Sequence, residues 1–438
     1  MTRLDQAAVL AAASAALGDG LTGAAGLGGS KRSEVLRCRA SAGSTVVVKS
    51  YPQDDEGAEG FTAEAAGLEF AWLASAGRAS AGLESAGPQS AGPESAGSAP
   101  AGGLEVAPRL LAADRDARVI VMSDLGDAPS LADVLLGTDR ERARAALLAW
   151  TRACGELAVR TAGREPDLAR LAAAHRPPAT GPASADSTGG DRHGGDQHGG
   201  DRHGGDRHGA PQDGAPHDGG HWLRRRLAQI PGLLDELALP CPPGLAGELA
   251  EVWDAVAPGR HDVFSPGDIC PDNNLLTPAG VRFIDFESAE FHSVFLDAAY
   301  LRMPFSSCWC VFRLPAGLAR DAEAGYRRRI SGIFPELAGG DAWDRGVRAA
   351  QAAWTLHAMT YLLDRSVVAD GPMIDDGRQA PTARQLLRYR WLRLRAELAT
   401  AGQFPAIAAL AAGLLAATER WQAPDLPRYP ALRRRGPD

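Results

Sequence analysis

Two residue types that most proteins use freely are almost missing from this 438-residue chain. Lys31 and Lys49 are the only lysines among 46 basic residues, and Asn273 and Asn274 are the only asparagines. The dominance of arginine indicates a GC-rich coding bias rather than selection for arginine chemistry. Under such a bias a retained lysine carries extra information, and two adjacent asparagines stand out in the same way.

The chain also lacks the features of several protein classes. It has no run of about 18 apolar residues, so no segment is predicted to span a membrane. A formal net charge of -8 argues against nucleic acid as the main partner, since nucleic-acid binding normally needs a basic face. Six scattered cysteines form no paired framework, and the start Met-Thr-Arg-Leu-Asp lacks a secretory pattern. We therefore expect a reduced, cytoplasmic protein with a small or cationic partner.

The length favours two lobes rather than one domain, and the first lobe is predicted at residues 1–125. An alanine-rich helical pattern covers residues 1–18, and apolar spacings of three and four predict another helix at 61–73. Strand-like runs follow the glycine-rich passage at 23–29 and return after Val106, and together they predict a sheet of about five antiparallel strands. These runs are 34–40, 44–51, a first candidate from Val106 and a second at 118–122.

Two segments have compositions that cannot form an apolar stripe, and we predict disordered inserts there. The first, about 74–103, repeats Ser-Ala-Gly with Pro and Glu interspersed. The second, about 177–220, contains four Gly-Gly-Asp-Arg/Gln-His units. Histidine repeats can bind zinc or nickel, so a metal-storage or chaperone role is an alternative to a solvated spacer for this segment.

The rest of the chain, 126–438, is predicted to be a mainly helical second lobe. Its exception is residues 265–287, where strand-like runs flank a polar loop. Helical patterns are found at 130–136, 140–161, 222–239 and 245–256, and from 288 to near Trp421.

The polar loop contains residue types that folding alone does not explain. Asp268 follows the turn Pro266-Gly267, Asn273 comes five residues later, and Asp285 closes the strand-like run 281–286. A strand pair closed by 278–280 would bring Asp285 back beside Asn273. One carboxamide and one carboxylate, together with nucleotide phosphates, are sufficient ligands for Mg²⁺. Asp268 would then be free to accept a proton from a substrate hydroxyl.

The motif Gly-Asp-Ile-Cys-Pro-Asp-Asn-Asn-Leu-Leu, followed by Ile-Asp-Phe-Glu-Ser-Ala and Leu-Asp-Ala-Ala-Tyr, resembles the signature of the aminoglycoside phosphotransferase and choline kinase-like family. The resemblance implies that Asp268 is the catalytic base, that Asn273 and Asp285 bind magnesium, and that Asp297 is structural. It also implies a two-lobed protein kinase-like α+β fold, with ATP bound between a small antiparallel-sheet lobe and a large, mainly helical lobe.

The same resemblance implies nucleotide-binding residues in the first lobe. Lys49 in Val-Val-Val-Lys would hold the α- and β-phosphates, and Glu64 would pair with it, although Glu56, Glu59 and Glu69 are nearby alternatives. The expected tip of the glycine-rich loop is Gly28-Gly29-Ser30, and the expected hinge beside adenine is 122–126, including Met122 and Asp124.

Two departures from the family pattern are clear. Pro266 stands where the family usually has a histidine that braces the loop, and we expect proline to stiffen the loop by fixing φ. The passage Gly26-Leu-Gly-Gly29 also lacks a regular Gly-x-Gly-x-x-Gly spacing. Asn274 could replace Asn273 as the ligand if the loop register slipped by one residue, and Glu287 could either enter the cleft or face solvent.

The sequence therefore predicts an ATP- and Mg²⁺-dependent phosphotransferase acting on a hydroxyl of a small molecule that is aminoglycoside-, amino-alcohol- or sugar-like. The alternative is a catalytically weak or silent kinase-like protein that binds nucleotide as a regulatory module. Neither the acceptor nor the oligomeric state can be read from the residues.

Overall fold

The computed structural model describes residues 4–29, 32–75, 105–178, 221–305, 308–374 and 377–433. A five-stranded antiparallel sheet forms the first part of the chain, and helices dominate the remainder. This confirms the predicted two-lobed α+β fold. The two predicted inserts lie outside the described residues, apart from a few at their ends: Ala74 and Ser75 finish a helix, and residues 177 and 178 are described.

The sheet has strand order β1-β2-β3-β5-β4, and a helix packs on each face. The elements of this region are α1 (Gln6–Leu17), β1 (Leu21–Gly29), β2 (Glu34–Ala40), β3 (Thr45–Ser50), α2 (Asp55–Ser75), β4 (Leu110–Asp114) and β5 (Val119–Ser123). The glycine passage forms β1 rather than a loop, because Gly23 and Gly28 adopt positive φ at two irregularities in the pairing with β2.

Strand alternation separates two apolar cores. Val119 and Val121 point toward α1 and its small core, whereas Ile120 and Met122 point toward α2 and the main core. On β3, Val48 joins the α1 side. Its neighbour Lys49 must therefore point to the opposite face, toward α2 and the second lobe.

The second lobe is built around the long helix α10. The described helices here are α3 (Leu131–Leu136), α4 (Arg140–Thr161), α5 (Glu165–His175), α6 (His221–Glu236), α7 (Leu245–Val256), α8 (Val294–Arg302), α9 (Ala316–Ile330), α10 (Gly340–Val368), α11 (Ala383–Ala401) and α12 (Pro405–Ala417). Helix α10 contacts α6, α7, α8 and α11 and buries Trp343 and Trp354. None of the helices in the described ranges is both long and apolar enough to cross a membrane.

Two short antiparallel strand pairs interrupt the helices. The pairs are β6 (Asp262–Ser265) with β9 (Glu290–Ser293), and β7 (Asn274–Thr277) with β8 (Gly280–Phe283). The sequence predicted helix throughout from 288 onward, and β9 corrects that prediction. Its four residues are too few to show a strand period, and their pairing with β6 is set by tertiary structure.

The main core contains residues from both lobes, from Tyr51 just after β3 to Leu432 near the end of the described chain. The division at residue 125 therefore remains a prediction, since apolar packing is continuous across it.

Candidate active site

A cleft between the sheet and the helical lobe encloses a cavity of about 560 Å³. Its volume is within the range of small-molecule sites, about 300–1,000 Å³. The sheet contributes Val47, Lys49 and Met122 to the wall, and the facing loop contributes Asp268 and Asn273.

A buried ion-pair network forms the sheet wall. Lys49 Nζ lies 2.8 Å from Glu64 Oε2 and 2.6 Å from Asp285 Oδ1. The same Glu64 oxygen accepts hydrogen bonds from Tyr51 Oη at 3.2 Å and from the Phe286 amide at 2.8 Å. Burial disfavours the charge on Lys49, but the Asp285 and Glu64 carboxylates outweigh it and keep the pKa of Lys49 well above its usual value. Lys49 is therefore a fixed positive charge.

Glu64 is the glutamate of α2 that meets Lys49. It is 1% exposed because it lies on the face of α2 that packs toward the cleft. Glu69, one of the alternatives, instead pairs with His175 at 2.7 Å.

Asp285 reaches Lys49 through an unusual backbone conformation. It follows β8 and has φ +70°, a left-handed conformation that costs a non-glycine residue on the order of 1 kcal/mol. Burial opposes ionisation of Asp285, but the Lys49 charge outweighs it and lowers the pKa of Asp285. The same turn points the Phe286 amide at Glu64. One bend therefore supplies a carboxylate to Lys49 and a hydrogen-bond donor to Glu64.

The loop between β6 and β7 carries Asp268. Gly267 has φ +84°, and a Cβ atom there would lie 2.0 Å from the Ser288 carbonyl oxygen, so only glycine fits. Asp268 follows, half-buried in the cavity wall, and its carboxylate accepts a hydrogen bond from the Cys270 amide at 3.3 Å. Burial raises the pKa of Asp268 to about 6.

The two asparagines have different positions. Asn273 Nδ2 donates to the Asp268 carbonyl at 3.1 Å, and Asn273 lines the cavity. Asn274 is fully buried and donates to the carbonyls of Ile269 and Cys270 inside the loop. Asn273 is thus the asparagine that faces the cleft.

The β7–β8 hairpin brings Asp285 close to Asn273. The amide of Ile284, the residue before Asp285, donates to the Asn273 carbonyl at 2.9 Å. Asn273 and Asp285 carry a carboxamide and a carboxylate, which offer the hard oxygen atoms that Mg²⁺ prefers, and both residues line the same cavity.

Side chains brace the loop around Pro266. Ser265 Oγ accepts from the Gly267 amide at 3.2 Å and donates to Asp297 Oδ1 at 3.2 Å. His292 Nε2 lies 2.9 Å from the same Asp297 oxygen. Burial alone would lower the pKa of His292, but Asp297 outweighs it and raises the pKa to about 10, so this histidine is protonated at neutral pH. The brace thus involves more than the ring of Pro266.

Sequence reasoning missed some participants in the site. The sequence left open whether Glu287 enters the cleft or faces solvent. In the structure it joins the network and lies 3.4 Å from Lys49 and 3.3 Å from Arg32. Arg32 and His292 were not predicted at all. Their contacts join residues more than 200 positions apart or lie in the unpredicted strand β9, so no local motif signals them.

The remaining predicted nucleotide residues are less central. Met122 and Asp124 line the cavity, but the Asp124 carboxylate is engaged by Arg37 Nε at 2.9 Å and the Gly126 amide at 2.9 Å. Gly28 and Gly29 end β1, and Leu27 beside them lines the cavity. Ser30 lies outside the described residues.

No protein-family model and no curated protein sequence matches the chain. Among solved structures, it is similar to a choline/ethanolamine kinase family protein from Mesorhizobium loti, with 15% identity, 90% of this chain and 93% of that chain covered, and a TM-score of 0.41. It is also similar to macrolide 2'-phosphotransferase MphH from Brachybacterium faecium, with 16% identity, 86% of this chain and 100% of that chain covered, and a TM-score of 0.43. A third similar structure is choline kinase from Cryptosporidium parvum, with 12% identity, 89% of this chain and 93% of that chain covered, and a TM-score of 0.45.

Proposed function

We propose that this protein is an ATP-dependent phosphotransferase that transfers the γ-phosphoryl group to a hydroxyl of a small molecule. One observation supports this proposal above all others. A buried lysine, clamped by Glu64, shares a single cavity with Asp268, Asn273 and Asp285. Phosphoryl transfer needs a fixed cation for the phosphates, oxygen ligands for a metal and an acceptor for the hydroxyl proton, and these side chains supply each of them.

In this proposal Lys49 binds the nucleotide phosphates. Glu64 holds its ammonium group in place, and Tyr51 and the Phe286 amide hold Glu64. Because this support is buried, the positive charge is oriented before the nucleotide arrives, and reorganisation during the reaction is small. Met122 and the backbone of 122–126 provide the wall for adenine.

The residues present fit a magnesium ion, and Asn273 and Asp285 are its proposed ligands. Both offer oxygen, and the Ile284 bond to the Asn273 carbonyl keeps them together. A bound Mg²⁺ neutralises charge on the phosphate oxygens. These residues also keep the phosphates in line with Asp268.

Asp268 is the proposed catalytic base. It orients the acceptor hydroxyl, whose oxygen forms a new bond to the γ-phosphorus as the bond from that phosphorus to the bridging oxygen breaks. The hydroxyl proton passes to Asp268, and the electron pair of the broken bond leaves with ADP. The Ser265 hydroxyl accepts from the Gly267 amide and donates to Asp297. These two bonds keep the Asp268 carboxylate in position.

The acceptor is proposed to be aminoglycoside-, amino-alcohol- or sugar-like. Among the described residues that line the cavity, carboxylates outnumber cationic side chains by six to four, and this excess favours an acceptor that carries amines or many hydroxyls. The cytoplasmic location expected from the sequence stays a prediction.

The test separates turnover from silent binding. ATP is titrated into the full-length protein with and without Mg²⁺, and ADP release is then measured over a panel of aminoglycosides, amino alcohols and sugars. The proposal predicts Mg²⁺-dependent ATP binding and acceptor-dependent ADP release with at least one class. ATP binding without release on any acceptor would favour the regulatory alternative, and absence of ATP binding would reject both.

A further inference from the structure

A cluster of sulfur and oxygen atoms lies at the proposed catalytic loop, and its thiols play no part in the mechanism above. Cys270 and Asp272 belong to the loop itself, and Cys308 comes from the segment after α8. The thiol sulfurs and one carboxylate oxygen of these three residues all lie within 4.8 Å of one another. Among the residues that the structure describes, one group of at least three His, Cys, Asp or Glu side chains converges closely enough to hold a metal ion, and it is this group.

We infer that Cys270, Cys308 and Asp272 form a binding site for a zinc ion, separate from the magnesium site. Two thiolates and one carboxylate are a donor set that soft or borderline metals such as Zn²⁺ prefer, whereas Mg²⁺ prefers oxygen alone. Asp272 and Asn273 are adjacent in sequence, but Asp272 contacts Cys308, whereas the Asn273 side chain donates to the Asp268 carbonyl.

The distances suit a tetrahedral ion. Ligand bonds of about 2.0–2.3 Å place neighbouring sulfur and oxygen atoms around a tetrahedral zinc about 3.5 Å apart. Cys308 Sγ lies 3.7 Å from Asp272 Oδ1, so these two atoms need only a small adjustment. Cys310 Sγ is 3.0 Å from Cys308 Sγ, closer than the roughly 3.8 Å that two sulfurs take on one zinc. We therefore assign three protein ligands.

The surroundings of Asp272 support the assignment. Trp309 Nε1 donates to Asp272 Oδ2 at 2.7 Å, which orients the other oxygen, Oδ1, toward Cys308. Proteins commonly fix a metal-binding carboxylate with such a hydrogen bond. The guanidinium of Arg378 stacks 3.9 Å above the Trp309 ring and helps to hold the indole.

The site is placed where a ligand can enter. The two thiols are nearly fully buried, yet Cys270, Asp272 and Cys308 all line the main cavity. The fourth position of a bound zinc would thus face the cleft and take water or a donor atom of the acceptor. Zinc bound in this way would tie the loop carrying Asp268 to the segment after α8.

The test uses Co²⁺ as a spectroscopic probe for Zn²⁺ on the reduced full-length protein. Cobalt bound to thiolate gives a sulfur-to-metal charge-transfer band and strong tetrahedral d–d bands. The histidines of residues 177–220 can bind cobalt through nitrogen, but they cannot produce the thiolate band. We expect about one equivalent of Co²⁺ to give these bands, and Zn²⁺ to displace it.

Variants identify the ligands. Cys270→Ala and Cys308→Ala should each abolish or strongly reduce the thiolate band, whereas Cys154→Ala, a buried cysteine on α4, should leave it unchanged. Asp272→Asn, which preserves shape, should weaken cobalt binding by about tenfold or more and covers the case in which a cysteine variant does not fold. Zn²⁺ should raise the Tm of the unsubstituted protein and of Cys154→Ala, but not that of Cys308→Ala.

Three results would overturn the inference. They are the absence of a thiolate band in the reduced protein, a band insensitive to Cys270→Ala and Cys308→Ala, and a disulfide between these cysteines with no metal uptake after reduction. None of these readouts depends on ATP or on turnover, so the zinc site and the phosphotransferase proposal can fail independently.

Discussion

The two walls of the cleft hold their charged groups in different ways. On the sheet wall, Lys49 is 4% exposed and Glu64 is 1% exposed. On the loop wall, Asp285 has 35% of its side chain exposed, and Asp268 is half-buried. On the sheet wall Lys49 and Glu64 are buried and already in contact. The loop wall leaves carboxylate oxygens of Asp268 and Asp285 partly exposed to whatever enters the cavity, and Asp285 also contacts Lys49. In the proposed mechanism, the sheet wall positions the nucleotide and the loop wall supplies the reacting groups.

The largest effect is expected from Asp268, on the reacting wall. Asp268→Asn should lower kcat by about 10²- to 10⁴-fold, because the hydroxyl proton loses its acceptor, while the KM for ATP changes little. Steady-state kinetics with the best acceptor measure both constants. Asp254→Asn, an exposed carboxylate on α7, is the control. An Asp268→Asn enzyme that keeps more than a tenth of kcat would contradict the proposed role.

The adjacent asparagines offer a sharper contrast. Asn273→Ala should raise the Mg²⁺ concentration at half-maximal rate by about tenfold or more, because one of two proposed protein ligands is lost. Asn274→Ala should leave the Mg²⁺ requirement unchanged and lower the free energy of unfolding by about 1–3 kcal/mol, since the Ile269 and Cys270 carbonyls lose a buried donor. Magnesium titrations and urea unfolding measure the two effects. If the variants exchanged phenotypes, the loop register would be wrong.

On the positioning wall, Glu64→Gln should affect binding more than chemistry. The change removes the negative charge that holds Lys49 but keeps the shape, so the KM for ATP should rise about five- to tenfold, with a smaller change in kcat. Glu69 is on the same helix, and Glu69→Gln should change the free energy of unfolding by no more than about 0.5 kcal/mol. Equal effects of the two substitutions on ATP binding would remove the distinction between these glutamates.

The remaining effect concerns stability rather than turnover: it arises in the brace behind the loop and depends on pH. The folded-state pKa of His292 is about 10, above the ordinary 6.5. The native state therefore binds this proton more tightly, and the resulting stabilisation is complete below about pH 6.5 and is lost as pH rises through about 10. Asp297, Glu290 and Asp262 are the charged groups that act on it.

The stability advantage of the unsubstituted protein over His292→Gln should accordingly shrink with rising pH. The slope should approach about 1.4 kcal/mol per pH unit at most, since one proton is involved. Urea unfolding between pH 6.5 and 10 measures it, and His261→Gln, with a more exposed histidine, is the control. A constant or growing advantage would show that His292 is neutral in the folded protein.

Much of the site was accessible from the sequence because it is local. Asp268, Gly267 and Asn273 lie within one loop. The strand pair closed by residues 278–280 predicted that Asp285 lies beside Asn273. Lys49 stood out by its rarity, and strand alternation then fixed the face on which it lies. The structure brings these residues to one cavity, and their roles remain predictions.

What escaped prediction depends on contacts between distant segments. His292 meets Asp297 because β9 pairs with β6, and Arg32 meets Glu287 across the two lobes. The resemblance placed a loop tip at Gly28-Gly29-Ser30, but Gly28 and Gly29 are the last residues of β1, whose pairing with β2 overrides the low strand preference of glycine. Cys270 and Cys308 are 38 positions apart, a spacing with no known metal-site pattern.

The most direct test of the central claim is a crystal structure of the protein with Mg²⁺ and a non-hydrolysable ATP analogue. The account predicts phosphate oxygens on Lys49 Nζ, a metal ion held by Asn273 and Asp285, and Asp268 facing the γ-phosphate. An analogue bound outside this cleft, or one that leaves Lys49 paired only with its carboxylates and the metal elsewhere, would contradict it.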